Sequence, residues 1–127
     1  MHRVIMFRGR SLKLTVSPRA QAQLTRRTSP LFLEMELYFS CLIRKRVLVR
    51  ETIEEGAVTL VDNLVARFRP VVTETCAMRD VERDNPPVKD MPILNPERFY
   101  PHWLTLDYRR GQWRADFGYN GFRSITA

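Results

Sequence analysis

Alternation of apolar and polar side chains dominates this chain. Leu33, Met35, Leu37, Phe39, Cys41 and Ile43 fall on one side of an extended strand, with Glu34, Glu36, Tyr38, Ser40 and Arg44 on the other. The same phase runs on through Val47 and Val49, so residues 31–50 form either one long bent strand or two strands that meet near Arg44 and Lys45. A pattern this regular suits the centre of a sheet. Residues 3–16 also read as extended: a short apolar run, a turn near Gly9 and Arg10, then Leu12, Leu14 and Val16 alternating with Ser11, Lys13 and Thr15. Towards the other end, Leu104, Leu106 and Tyr108 alternate before Arg110-Gly111, and Trp113, Ala115, Phe117 and Tyr119 after it, which predicts a hairpin.

The period changes once with clear punctuation. Ser17 can cap the free amides of a first helical turn, and Pro18 follows where its missing N–H costs nothing. Good helix formers continue to Leu24, and Pro30 blocks extension. The apolar stripe of this helix is thin, Ala20 and Leu24 with Ala22 beside them, so it should lie on the surface with Arg19, Arg26 and Arg27 in water.

Residues 51–69 fit two templates. Ile53, Ala57, Leu60, Val61, Leu64 and Phe68 recur at helical spacing, and Thr52 with Glu55 has the spacing of a capping box. Against a helix stand Gly56, several β-branched residues and an Asp62-Asn63 pair able to turn a hairpin. Residues 80–101 hold Pro86, Pro87, Pro92, Pro96 and Pro101, a density that favours an extended surface loop. Together these elements predict one α+β domain over residues 1–127. Its expected form is a single twisted, mainly antiparallel sheet of roughly five to seven strands, with one or two helices packed on it and the proline-rich loop over an edge.

Composition agrees with a folded chain: 127 residues, 44% hydrophobic and 28% charged. At this length about two thirds of the unfolded surface is buried on folding, enough for a core without metal or disulfide. No apolar run approaches the roughly 18 residues that cross a bilayer, and the start, MHRVIMFRGR, has the form of neither a signal peptide nor a membrane span. Two cysteines 35 positions apart then suggest free thiols in a reducing cytoplasm.

Charge changes the picture more than composition does. The net charge is +7, and residues 1–50 carry 11 Lys or Arg against Glu34 and Glu36 alone, a local balance of +9. Such a field attracts phosphate polymers, anionic membranes and acidic proteins alike. Arginine, which forks onto phosphate or carboxylate, supplies nearly all of it. The candidate anion-binding cluster is Arg44, Lys45, Arg46 and Arg50, joined by Arg26 and Arg27. Cross-strand pairing with Glu51, Glu54 or Glu55 is the structural alternative for the same residues. The aromatic-rich end, interleaved with arginines, offers Tyr108 and Trp113 as stacking surfaces for unpaired bases, although the hairpin pattern also directs Trp113, Phe117 and Tyr119 at a core.

Other chemistry is thinly represented. Cys41, Cys76, His102 and His2 lack the closely spaced ligand pairs of a zinc site; Cys41 reads as a small buried residue and Cys76, near Arg79, as the more reactive thiol. Glu34 and Glu36 point the same way from one strand about 7 Å apart, a separation some hydrolases use. Alternating acids on a wet strand face are far commoner than such a catalytic pair. No phosphate-cradling glycine loop, nucleophile elbow or H-E-x-x-H occurs. The sequence therefore favours a non-catalytic module that binds an anionic partner, RNA or DNA, through an arginine-rich surface, with no cofactor or metal. The alternative is a protein-interaction or small-ligand module that uses the proline-rich loop and a sheet edge.

Overall fold

The computed structural model of the chain describes residues 1–39, 43–73, 88–90 and 96–120. Among the described residues, the tight turns between consecutive strands fall where the sequence offers glycine or asparagine. β1 (His2–Phe7) and β2 (Arg10–Val16) are antiparallel and joined through Arg8 and Gly9, at φ 49° and 86°. Two successive positive φ values match the natural twist of a hairpin, and glycine takes the second without steric cost. β3 (Leu31–Tyr38) and β4 (Arg44–Arg50) are antiparallel partners, so the long alternating stretch is two strands rather than one. β5 (Val58–Val61) and β6 (Leu64–Thr73) turn at Asp62 and Asn63, the latter at φ 64°. β8 (Trp103–Arg109) and β9 (Gln112–Gly118) turn at Arg110 and Gly111, φ 51° and 78°.

Residues 51–69 are thus a turn region and a hairpin. Leu60, Leu64 and Phe68, all buried, are spaced by four, which is close to one helical turn and also an even number. A strand with period two satisfies the same spacing, so apolar periodicity could not separate the two forms here. Gly56 at φ 87° and the exposed Ile53 argue against a continuous amphipathic helix.

A single mainly antiparallel sheet is not what forms. The strands make two mixed sheets, one in the order β1-β2-β8-β9 and the other in the order β4-β3-β6-β5, with β7 (Val88–Asp90) also pairing with β6. Each sheet joins two hairpins through parallel inner strands. Val16 lies beside Leu106 where β2 meets β8, and Met35 beside Phe68 where β3 meets β6. The reason is one of coverage. Among the described residues there is one α-helix, nine residues long with Ala20 and Leu24 buried; it cannot shield the apolar faces of so many strands, so the sheets shield each other. Leu12, Leu14, Val16, Leu104, Leu106 and Phe117 from the first sheet meet Leu33, Met35, Leu37, Leu64, Ala66 and Phe68 from the second in one core cluster.

The predicted helix is present as α1 (Pro18–Arg26), with Ser17 Oγ accepting from the Ala20 amide. It packs near β8, adds Ala20 and Leu24 to the core, and is tied at its far end by Asn63 Nδ2, which donates to the carbonyls of Leu24 and Arg27. Where the β4 and β9 edges approach each other, the Lys45 ammonium donates to the Phe117 carbonyl and sits 5.0 Å from the Trp103 ring centre. Trp103 lies directly across Gly118, where a Cβ would fall 2.2 Å from its ring. Within the proline-rich segment, β7, the 3-10 turn Pro96–Phe99 and residues 100–101 are described. Most of that loop, together with Cys41 and Cys76, lies outside the described residues.

Candidate functional site

Period two and the strand register dictate what surrounds Glu34 and Glu36. Both lie on the β3 face turned away from the sandwich core, together with Phe32 and Tyr38. Arg46 faces Glu36 from β4 while Arg67 and Arg69 stand beside Glu34 and Glu36 on β6; Arg50 faces Phe32 one position on. Both carboxylates are fully buried, and the guanidinium groups reach across to them.

The contacts form one network. Glu36 Oε1 accepts from Arg46 Nε at 2.9 Å and from the Tyr38 hydroxyl at 3.3 Å, and Glu36 Oε2 accepts from Arg69 Nη1 at 3.3 Å. Glu34 Oε1 accepts from Arg67 Nη2 at 2.7 Å, while Arg50 Nη1 stands 3.5 Å from Glu34 Oε2. Arg69 also pairs with Asp90 on β7. Burial works against the Arg69 charge, but the Asp90 hydrogen bond and the charges of Asp90, Glu34 and Glu36 outweigh it and raise its pKa above the ordinary arginine value. Tyr38 is pushed up to about 12, first by burial and then by the neighbouring Glu36 charge. The Arg46 guanidinium lies 5.1 Å from the Tyr38 ring centre.

This arrangement separates the members of the predicted anion-binding cluster. Arg46 and Arg50 turn onto Glu36 and Glu34, while Lys45 projects to the opposite face of β4 and pairs with Asp116 at 3.3 Å. Arg27 pairs with Glu51, one of the acids that sequence proximity proposed. Arg44 is exposed at the start of β4, opposite Tyr38, and Arg26 is exposed on α1. The six side chains do not share one open face. Glu34 and Glu36, for their part, are bound by guanidinium groups rather than set out over a substrate cavity.

A different group of arginines does converge. α1 and the β8–β9 turn border an open cleft of about 450 Å³ lined by Arg19, Ala22, Gln23, Tyr108, Arg109 and Arg110. Arg19, Arg109 and Arg110 are exposed. Helical spacing places Arg26 on the same stripe as Arg19 and Gln23. Tyr108 and Trp113 meet edge to face with ring centres 4.9 Å apart, both partly buried against the core. The adjoining acid is Asp107, which accepts from Ser17 Oγ and pairs with Arg19 at 2.8 Å. The Ser17 hydrogen bond, helped by the Tyr108 amide and Arg19, outweighs desolvation and holds the Asp107 carboxyl below its ordinary range.

The sequence pattern puts Arg19 in water on the helix and sets Arg109 and Arg110 among the arginines interleaved with the terminal aromatics, without bringing the two groups together. One signal was available: Arg19 sits in the first turn of a helix that has no acid there, against the preference of the helix dipole. Among the described residues no group of His, Cys, Asp and Glu could hold a metal ion. No helix there is long and apolar enough to cross a membrane. No protein family, curated protein or solved structure matches the chain.

Proposed function

We propose that this protein is a non-catalytic module that binds RNA or DNA through arginines grouped around the cleft between α1 and the β8–β9 turn. The observation that carries this reading is the meeting of Arg19, Arg109 and Arg110, exposed and drawn from elements about 90 positions apart, around one open concavity. Guanidinium groups at such a rim can fork onto successive phosphates, and the exposed part of Tyr108 offers a surface for an unpaired base. Among the described residues the carboxylate beside them is Asp107, already engaged by Ser17 and Arg19, so the uncancelled positive charge at the cleft is that of Arg109 and Arg110.

Fluorescence anisotropy of labelled single-stranded and duplex oligonucleotides over a salt series tests this. Affinity should fall steeply as salt rises, and Arg109→Ala and Arg110→Ala should each lower the slope of log K against log salt by about one unit. Absence of binding at low salt, or slopes unchanged in both variants, would refute the reading.

A second reading, interaction with another protein at a sheet edge, is favoured by β1. This strand ends the first sheet and exposes Val4 and Met6 at 72% and 61%. Lysine at both positions should then abolish capture of a protein partner while leaving the oligonucleotide salt slope as it was.

A further inference from the structure

The opposite end of the first sheet carries a cavity that the nucleic-acid reading does not use. The β1–β2 turn and residues 97–102 line an open concavity of about 570 Å³, within the usual range for small-molecule sites. Arg10, Ser11, Glu97, Arg98, Tyr100 and His102 contribute to its wall. We propose that this cavity is a binding site for a nucleotide-sized phosphomonoester, with Arg10 and Arg98 on the phosphate and Glu97 on hydrogen-bond donors of the sugar or base.

The hydrogen bonds already made determine what the wall has left to offer. The backbone amide of Asn120 donates to His102 Nδ1 at 2.9 Å, so the neutral ring carries its proton on Nε2 and has that N–H to give. Arg8 Nε donates to the Tyr100 hydroxyl at 3.1 Å, which leaves the phenolic proton of Tyr100 available. Arg10 and Arg98 are exposed and, among the described residues, neither makes an ion pair or a side-chain hydrogen bond, with Glu97 or with anything else. The arginines around Glu34 and Glu36, by contrast, are bonded to those acids. Two unengaged guanidinium groups and several neutral donors in one concavity suit a dianionic phosphate, which presents acceptors on every side. Glu97 opposes a ligand that is phosphate alone and favours one that brings its own donors, such as a ribose diol or an exocyclic amine.

Titration of the 15N-labelled protein with nucleoside 5′-monophosphates, the matching nucleosides and inorganic phosphate tests the proposal by NMR. Saturable shifts at His102, Ser11 and Arg10 with the monophosphate are expected, with inorganic phosphate and nucleoside each binding at least about tenfold more weakly. Arg10→Ala and Arg98→Ala, both at exposed positions, should each weaken the monophosphate about tenfold with unchanged circular dichroism. Glu97→Gln should narrow the gap between monophosphate and inorganic phosphate. A 5′-phosphorylated dinucleotide binding as tightly as the free monophosphate would identify a strand terminus as the source of the phosphate group, and weaker binding a free metabolite. No saturable shift at millimolar monophosphate, or equal shifts in the Arg10→Ala and Arg98→Ala variants, would overturn it. Arg109→Ala and Arg110→Ala should leave this binding untouched, which keeps its failure distinct from failure of the nucleic-acid reading.

Discussion

At the scale of residues, Glu34 and Glu36 decide more than any other pair. A buried carboxylate must be both charge-matched and hydrogen-bonded, because each unmet requirement costs kilocalories. Glu36 meets them through Arg46, Arg69 and Tyr38. Glu36→Gln keeps the shape but removes the buried charge that Arg46 and Arg69 share, with Asp90 still holding Arg69, so denaturant unfolding should show a loss of about 3 kcal/mol. Arg50→Ala should cost less than about 1 kcal/mol, because Arg50 is 42% exposed and its approach to Glu34 is looser. Equal losses in the two variants would mean that the carboxylates are hydrated. The same burial sets an alkaline limit. Tyr38 ionises near 12 in the folded chain against an ordinary 10, so folding favours its neutral form. That contribution is complete below pH 10 and disappears as pH climbs from 10 to 12, about 2–3 kcal/mol in all. Phenolate absorbance should show Tyr38 titrating late together with Tyr119, which burial pushes up further, and Tyr38→Phe should remove the earlier of the two, with alkaline unfolding shifted upward in that variant.

At the scale of elements, α1 depends on its first turn. Ser17 caps the helix through its oxygen and donates its proton to Asp107, while Asp107 holds Arg19. Ser17→Ala should destabilise the fold by about 1 kcal/mol and raise the Asp107 pKa, because the hydroxyl is the largest influence lowering it. Carboxyl NMR titration of wild type and variant reads that shift directly; an unmoved Asp107 would assign its low pKa to Arg19 instead. The sign has a consequence for acid stability. A depressed carboxyl stabilises the fold above its unfolded pKa, and that contribution is lost as pH falls through the folded value, so Ser17→Ala should respond less to mild acid. This helix was legible in sequence because cap, proline and stop signal are local. The terminal hairpins were legible for the same reason, their turns at Gly9 and Gly111 being written beside the strands they join. The two-sheet arrangement was not, because alternation reports which side of a strand is apolar and is silent on which strand lies beside it. Nor did alternation reveal the environment of Glu34 and Glu36. It placed them on the polar face correctly, but only the parallel pairing of β3 with β6 brings Arg67 and Arg69 beside them from more than thirty positions away.

At the scale of the whole molecule, the net charge of +7 divides between two kinds of arginine that should respond oppositely to salt. Arg46, Arg67 and Arg69 are mostly buried against carboxylates, where mobile ions screen poorly. Arg10, Arg19, Arg98, Arg109 and Arg110 stand in solvent at the two clefts and contribute to self-repulsion that salt relieves. Raising the ionic strength should therefore leave the melting temperature unchanged or slightly higher, since relief of repulsion among the open arginines offsets any weakening of the buried pairs. Oligonucleotide affinity should fall over the same range, by about ten- to a thousandfold for the few phosphates the cleft can engage. Calorimetric melting and anisotropy on one salt series measure both. A melting temperature that drops in parallel with affinity would show that the Glu34 and Glu36 network is reached by solvent ions, which would make its four arginines available to external phosphate and return the binding surface to the outer face of β3, β4 and β6.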